Sequence, residues 1–232
     1  MSAPLRHAWD VTIGEAIALQ RSIATEIERL DRLDEPATVA GVDVAYGRRG
    51  RDAVARAAAV LLDARTLELL DQAVVHVSTT FPYVPGLLTF REAPAAIAAL
   101  AALSRPPDLL LCDGQGIAHP RRCGVASHLG LYLDLPSIGV AKSRLTGTHA
   151  EPAQDRFAWT PLLDGQEVLG ACLRTRTRVR PIYVSTGHRV SLTTALQLVM
   201  RFTTRWRLPE PTRLADRLSR VDQLNLNHLP SS

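Results

Sequence analysis

The sequence predicts an α/β fold, a mixed central sheet with helices on both faces. Three observations point there. Three short apolar runs follow one another after an amphipathic helix, as in an antiparallel meander. Two later runs, at 108–113 and 137–141, are continuous, short and apolar, the pattern of strands buried on both faces. Helical segments separate those runs, which favours parallel neighbours.

The elements follow in order. Residues 11–30 carry Ile13, Ala16, Ile17, Leu19, Ile23, Ile27 and Leu30 at helical spacing. Residues 39–46 (VAGVDVAY) form a buried strand, and 55–62 and 67–78 give two more, with a turn at 63–65. A loop at 80–86 (TFPYVPG) is punctuated by two prolines and a glycine. A helix over 89–103 carries Pro94 near its start, and strand 108–113 ends in a glycine-rich loop, 114–122 (GQGIAHPRR). Helix 126–133, strand 137–141, strands 167–174 and 181–185, a helix over 191–205 opened by a Ser191 cap, and a proline-started helix over 208–220 complete the chain. No repeat or linker divides it. The expectation is a single domain over 1–232, with an N-terminal helical segment at 1–35 and a frayed tail at 222–232.

Composition narrows the function classes. The chain has 232 residues, 46% apolar and 22% charged, which suits a folded soluble protein and not a disordered one. The longest apolar stretch, 93–103, is too short to span a bilayer, and the first ten residues lack a signal-like apolar core. A cytoplasmic protein with no membrane partner is expected. Cys112, Cys123 and Cys172 form no paired spacing, which excludes a disulfide scaffold and a zinc finger. The net charge is +4, with arginines clustered at 48–49, 121–122, 174–180 and 201–207, compatible with a polyanionic partner. Arginine stands almost everywhere a base is needed: the chain has one lysine, Lys142. A coding bias explains the arginines; it leaves the lysine as a position where a compact charge is needed and a planar fork is refused.

Several side chains carry chemistry. Asp43 lies inside a buried strand, where a carboxylate is costly unless paired or metal-bound; a structural Asp beside Gly41 is the alternative. Asp113 ends a buried strand, where α/β sheets place their ligands, although Asp before Gly is also turn chemistry. Two such carboxylates on neighbouring strands would make a hard oxygen site for Mg²⁺. Glu92, placed in the first turn of its helix, could be a third acid or a simple dipole partner. Asp216 is a weaker fourth acid or a solvated Asp–Arg pair. His119 could orient water or shuttle a proton, and His188 is a secondary candidate. Tyr83, in a rigid Pro-rich loop, either folds over the core or wedges into a base stack.

Four blocks make the chain resemble one family, endonuclease V, which nicks nucleic acid beside deaminated adenine. They are VAGVDVAY (39–46), TFPYVPGLLTFRE (80–92), LCDGQGIAHPRRCGVASHLG (111–130) with SIGVAKSR (137–144), and STGHRV (185–190) with LPEPTRLA (208–215). The resemblance implies a ribonuclease-H-like fold and a Mg²⁺-dependent nuclease in which Mn²⁺ substitutes. It implies metal carboxylates Asp43, Glu92 and Asp113, with Asp216 a weaker fourth ligand suggested by the fold. His119 and Lys142 would complete the catalytic set. Pro82, Tyr83, Val84 and Pro85 would form a strand-separating wedge. Gly86, Leu88, Gly114, Gly116, Ile117, Gly124 and Ala141 would line a pocket for the flipped base. The expected partner is DNA containing deaminated bases, with inosine-containing RNA a second candidate, acted on by a monomer. The expected cut is the second phosphodiester 3′ of the lesion, leaving 3′-hydroxyl and 5′-phosphate ends and opening an alternative excision repair. One position departs from the bacterial pattern: Gly114-Gln115-Gly116 stands where GHG is usual. The competing readings are a non-catalytic inosine- or junction-binding module, another ribonuclease-H-like nuclease such as a junction resolvase, and an actin-like phosphotransferase, whose phosphate loops are absent.

Overall fold

The computed structural model describes residues 7–46 and 54–225, the last five as helix backbone. Arg48, Arg49 and residues 226–232 of the tail expected to fray lie outside the described residues. Residues 222–225 continue the last helix.

Helix α1 (Ile13–Ile23) starts on a reciprocal cap: the Glu15 amide donates to the Thr12 hydroxyl, and Glu15 accepts from the Thr12 amide at 2.7 Å. It is shorter than the apolar spacing predicts. Residues Ala24–Glu26 tighten into a 3₁₀ turn and Ile27 is extended. The following backbone pairs instead with the end of a distant strand, where the Arg189 amide donates to Glu28 O at 2.8 Å. That tertiary pairing overrides helical propensity.

The predicted meander forms as β1 (Thr38–Tyr46), β2 (Val54–Asp63) and β3 (Leu69–Ser78). Helix α2 (Leu88–Ala101) follows, then β4 (Leu109–Asp113), α3 (Val125–Leu133) and β5 (Ser137–Ala141). Next come β6 (Trp159–Asp164), β7 (Glu167–Leu173), β8 (Ile182–His188), α4 (Leu192–Arg201) and α5 (Glu210–Asn225). All form one eight-stranded sheet in the order β3-β2-β1-β4-β5-β8-β7-β6.

Strands β1, β4 and β5 are parallel, as expected. The later strands are not: β8 runs antiparallel to β5, β7 to β8, and β6 to β7. The short Asp164–Glu167 connection explains the last pairing, since so tight a turn reverses the chain. Strand β6 had no predicted counterpart. It carries Pro161 and sits at the sheet edge, where a missing donor costs little.

The core has two main layers, one on each face. Leu109 and Leu111 enter a cluster with Val39, Ile138, Val140, Val184 and Phe202, while Leu110 and Cys112 enter another with Ala40, Val42, Ala96 and Leu129. This is the two-residue alternation of a strand buried on both sides. Helices α4 and α5 cover the first face, α2 and α3 the second. The three cysteines are buried and free.

Candidate active site

The alternation fixes the site. Strands β1 and β4 are parallel neighbours with Val42 opposite Cys112. The next residues, Asp43 and Asp113, therefore emerge side by side at the carboxyl ends. Both are in phase with Val39, Leu109 and Leu111, so both point to the face that α5 covers. Helix α5 can lie close against β1 because Gly41 has no side chain: a Cβ there would sit 2.0 Å from Pro211 O. That approach delivers Asp216. One oxygen each of Asp43, Asp113 and Asp216 lie within 4.8 Å of one another. The weaker fourth acid of the sequence reading is thus part of the tightest cluster.

Glu92 arrives from the opposite layer. It is the fifth residue of α2, in the second turn and not the first, so the helix dipole does not account for it. It faces a small gap shared with Asp43, Asp113, Val42 and Cys112. Burial, with Asp43 and Asp113 adding their charge, pushes its carboxyl up to about 8. Burial also raises Asp43, opposed by the hydroxyl of Ser219, which donates to its Oδ2. Ser219 was not singled out in the sequence. It lies one turn beyond Asp216, so its spacing was the available signal.

Lys142, one residue past β5, reaches into this cluster. Its Nζ lies 2.5 Å from Asp113 Oδ2 and 2.6 Å from Asp216 Oδ1. Burial pulls its ammonium down, but Asp113 and Asp216 outweigh it and hold the group above its ordinary value. Arg207 holds the Lys142 carbonyl at 2.9 Å and fixes the backbone behind it.

Beside the carboxylates opens a cleft of about 400 Å³. Its lining includes Tyr83, Val84, Pro85, Gly86, Leu88, Gly114, Gly124, Ala141 and Lys142, most of the expected wedge and pocket. Pro82 is exposed next to it, and Tyr83 is 71% exposed, not folded over the core. Gly116 and Ile117 do not line the cleft. A Cβ on Gly116 would meet Thr186 O at 1.9 Å, so this glycine serves packing against β8. Ile117 is buried with Ile23, Ile27, Cys123 and Leu131. Gln115 does line the cleft, its amide donating to Ser143 O at 2.9 Å.

His119 is buried, and both its ring nitrogens are engaged. Nδ1 accepts from the Arg121 amide at 3.1 Å, which makes Nε2 the protonated nitrogen, donating to Gly86 O at 3.0 Å. Burial and the charge of Arg121 push it down to about 4, so it is neutral near pH 7. Arg121 Nη2 donates to the same carbonyl at 2.6 Å. Gly86 has φ +79°, a backbone form that favours glycine, and the two donors pin that turn under Tyr83. Arg121 was legible only as part of a basic pair. His188 sits at the far end of the sheet, opposite Ser137 at the start of β5, and accepts from the Glu28 amide; it is a structural histidine.

The donor set suits a hard divalent cation. All the converging ligands are carboxylate oxygens, and no histidine or cysteine joins the described cluster. Three aspartates meet there against Lys142 and Arg220, beside a Glu92 that burial keeps protonated near pH 7, which still leaves negative charge that a cation would offset.

An acidic cluster at the carboxyl ends of β1 and β4, closed by a late helix on a mixed sheet, is the arrangement of a nuclease site on a ribonuclease-H-like fold. The comparisons with known proteins carry the assignment further. A family model described as Endonuclease V matches residues 21–217. A protein named Endonuclease V from Roseiflexus sp. (strain RS-1) is 57% identical over 219 residues, covering 94% of this chain and 97% of its own. The crystal structure of Endonuclease V from Streptomyces avermitilis matches with a TM-score of 0.88 at 44% identity, over 96% of this chain and 98% of that one. The Ciona intestinalis Endonuclease V, crystallised with a 24mer DNA containing an inosine followed by a ribo-adenosine, has a TM-score of 0.78 at 28% identity, over 92% and 98%. The chain belongs to the endonuclease V family, and it is a DNA endonuclease.

Proposed function

We propose that this enzyme recognises hypoxanthine (deoxyinosine) in DNA. It nicks the second phosphodiester 3′ of the lesion, leaving 3′-hydroxyl and 5′-phosphate ends that open an alternative excision repair. The observation that carries this reading is the convergence of Asp43, Asp113 and Asp216 with Lys142 beside a cleft headed by an exposed Tyr83.

Tyr83 enters the stack as the lesion leaves it, and unstacking is cheapest for a poorly paired base. Gly86, Leu88, Gly114, Gly124 and Ala141 line the space the base enters. His119 is a positioning residue: it donates to Gly86 O and holds the wedge turn. Asp43, Asp113 and Asp216, with Glu92 from the other layer, would hold Mg²⁺, or Mn²⁺ in its place. When bound, such a cation lowers the pKa of a coordinated water and offsets charge on the phosphate. Water oxygen joins phosphorus, the bond from phosphorus to the 3′ oxygen breaks, and that oxygen leaves with a proton. Lys142 sets a compact positive charge against the reacting phosphate. The enzyme works as a monomer, a single cytoplasmic domain. Among the described residues no helix is long and apolar enough to cross a membrane.

The test is a panel of labelled strands carrying inosine, uracil or no lesion, as DNA and as RNA, with Mg²⁺ or a chelator. Cleavage of the inosine DNA alone or foremost, only with Mg²⁺, is expected. Equal cleavage of undamaged DNA would overturn the lesion specificity. Binding without any cleavage would make the protein a non-catalytic inosine binder.

A further inference from the structure

The arginines of this surface fall into two groups. Arg29, Arg122, Arg201 and Arg220, among others, each hold a carboxylate. Arg156, Arg176, Arg178, Arg180 and Arg205 are exposed and form no ion pair among the described residues. Other exposed arginines without an ion pair among the described residues, such as Arg65 and Arg105, stand apart, but these five come together. The Thr175 hydroxyl donates to Arg207 O at 2.6 Å, Arg207 Nε donates to Arg180 O at 2.9 Å, and Arg156 Nη2 donates to Thr203 O at 3.0 Å. These bonds gather two basic stretches, distant in sequence, around one cleft lined by Arg156, Arg176, Thr177, Thr204 and Arg205.

One carboxylate bonded to the cleft wall is already committed. Glu210 accepts from Thr204 and from Arg213. Trp206, 43% exposed, lies under the guanidinium groups of Arg205 and Arg213 at 5.1 and 5.4 Å from its ring centre. Like charges held together without counter-acids repel unless an anion joins them. Hydroxyls, forked guanidiniums and an indole face suit a phosphodiester chain. Hydrogen bonds of Arg207 tie the cleft to the catalytic region. Arg207, which links its walls, holds the carbonyls of Lys142 and Pro181 at 2.9 and 2.8 Å. None of the cleft arginines lines the pocket beside Tyr83. The path therefore runs from base pocket to carboxylates and Lys142, then through Arg207 to the arginine cleft.

We propose that this cleft seats the sugar-phosphate backbone of DNA beyond the cut, on the 3′ side of the lesion, with Arg176 and Arg205 each neutralising a phosphate. The direction rests on the proposed 3′ position of the nick.

The test compares wild type with the Arg176→Ala/Arg205→Ala double variant. Neither side chain donates a hydrogen bond among the described residues, so the fold should be kept. The control is Arg65→Ala/Arg105→Ala, which removes equal charge from the opposite end of the sheet, ahead of β4 and after β2. Affinity is measured with chelator for a long inosine duplex and for one truncated just 3′ of the nick, across a salt series. For the long duplex the cleft variant should lose affinity on the order of tenfold, and its log–log salt slope should fall by about 2. The truncated duplex should bind both proteins alike. A slope equal to that of wild type, or a loss of equal size on the truncated duplex, would overturn the proposal. The nick is mapped in parallel on the long duplex. A nick placed elsewhere would overturn the proposed reaction, while the salt slope would still decide whether the cleft binds phosphates.

Discussion

Replacing Lys142 by arginine keeps the charge and changes only its shape. The structure allows little room for that change. The ammonium already lies 2.5 and 2.6 Å from two carboxylates, and Arg207 prevents the backbone from retreating by holding the Lys142 carbonyl. An arginine terminal nitrogen lies one bond further out, roughly 1.3 Å, and belongs to a broad plane. It would press into the space where the ligand oxygens of Asp43, Asp113 and Asp216 come within 4.8 Å of each other. Misplacing one preorganised charge of this kind costs about 10²- to 10³-fold in rate, or ~3–4 kcal/mol of transition-state stabilisation. Single-turnover nicking of an inosine duplex at saturating enzyme measures the loss directly, with binding followed separately. The expected result is a rate fallen by that factor with affinity nearly unchanged. Arg65→Lys, on the exposed β2–β3 turn, should stay within about twofold, as surface charges do. A Lys142→Arg rate within about threefold of wild type would refute the reasoning and make the lone lysine an accident of composition.

Other consequences are equally direct. Asp43→Ala or Asp113→Ala should abolish nicking in a gel assay while inosine-DNA binding stays detectable; full activity in either would remove the carboxylate from the site. Tyr83→Ala should reduce the preference for inosine over undamaged DNA more than it reduces the cleavage rate, and an unchanged preference would rule out the wedge. Glu92 titrates at about 8 in the metal-free protein, so from the ordinary glutamate range up to that value the fold holds a proton the unfolded chain has lost. Stability in chelator should therefore fall as pH rises through this window. Glu92→Gln stays neutral, and its melting temperature relative to wild type should climb by several degrees from about pH 5 to about pH 8.5. A constant offset would contradict the burial argument.

Much of the site was legible because a carboxylate inside an apolar strand is a local anomaly. Asp43 and Asp113 announce themselves that way, and their shared strand phase gives them a common face. What the sequence concealed was tertiary. Asp216 looks like half of an Asp–Arg pair, and it does pair with Arg220 at 2.8 Å; only the closeness of Gly41 to α5 carries it to Asp43. Glu92 resembles a dipole partner until α2 is found to start one residue early and to lie on the other face. Gly116 and Ile117 share a loop with cleft residues but turn toward β8 and the core, a distinction no spacing rule contains. Strand β6 was hidden by Pro161, which only an edge strand tolerates. The arginine cleft needed the fold to unite stretches that composition alone could only count.

Mapping the product ends at single-nucleotide resolution tests the proposed reaction at its reacting bond. The substrate is a doubly end-labelled inosine duplex incubated with Mg²⁺. One nick is expected, at the second phosphodiester 3′ of inosine, with a 3′ end that a polymerase extends and a 5′ end that a ligase accepts. A cut at another bond, a 3′-phosphate, or the same cut in chelator would contradict it.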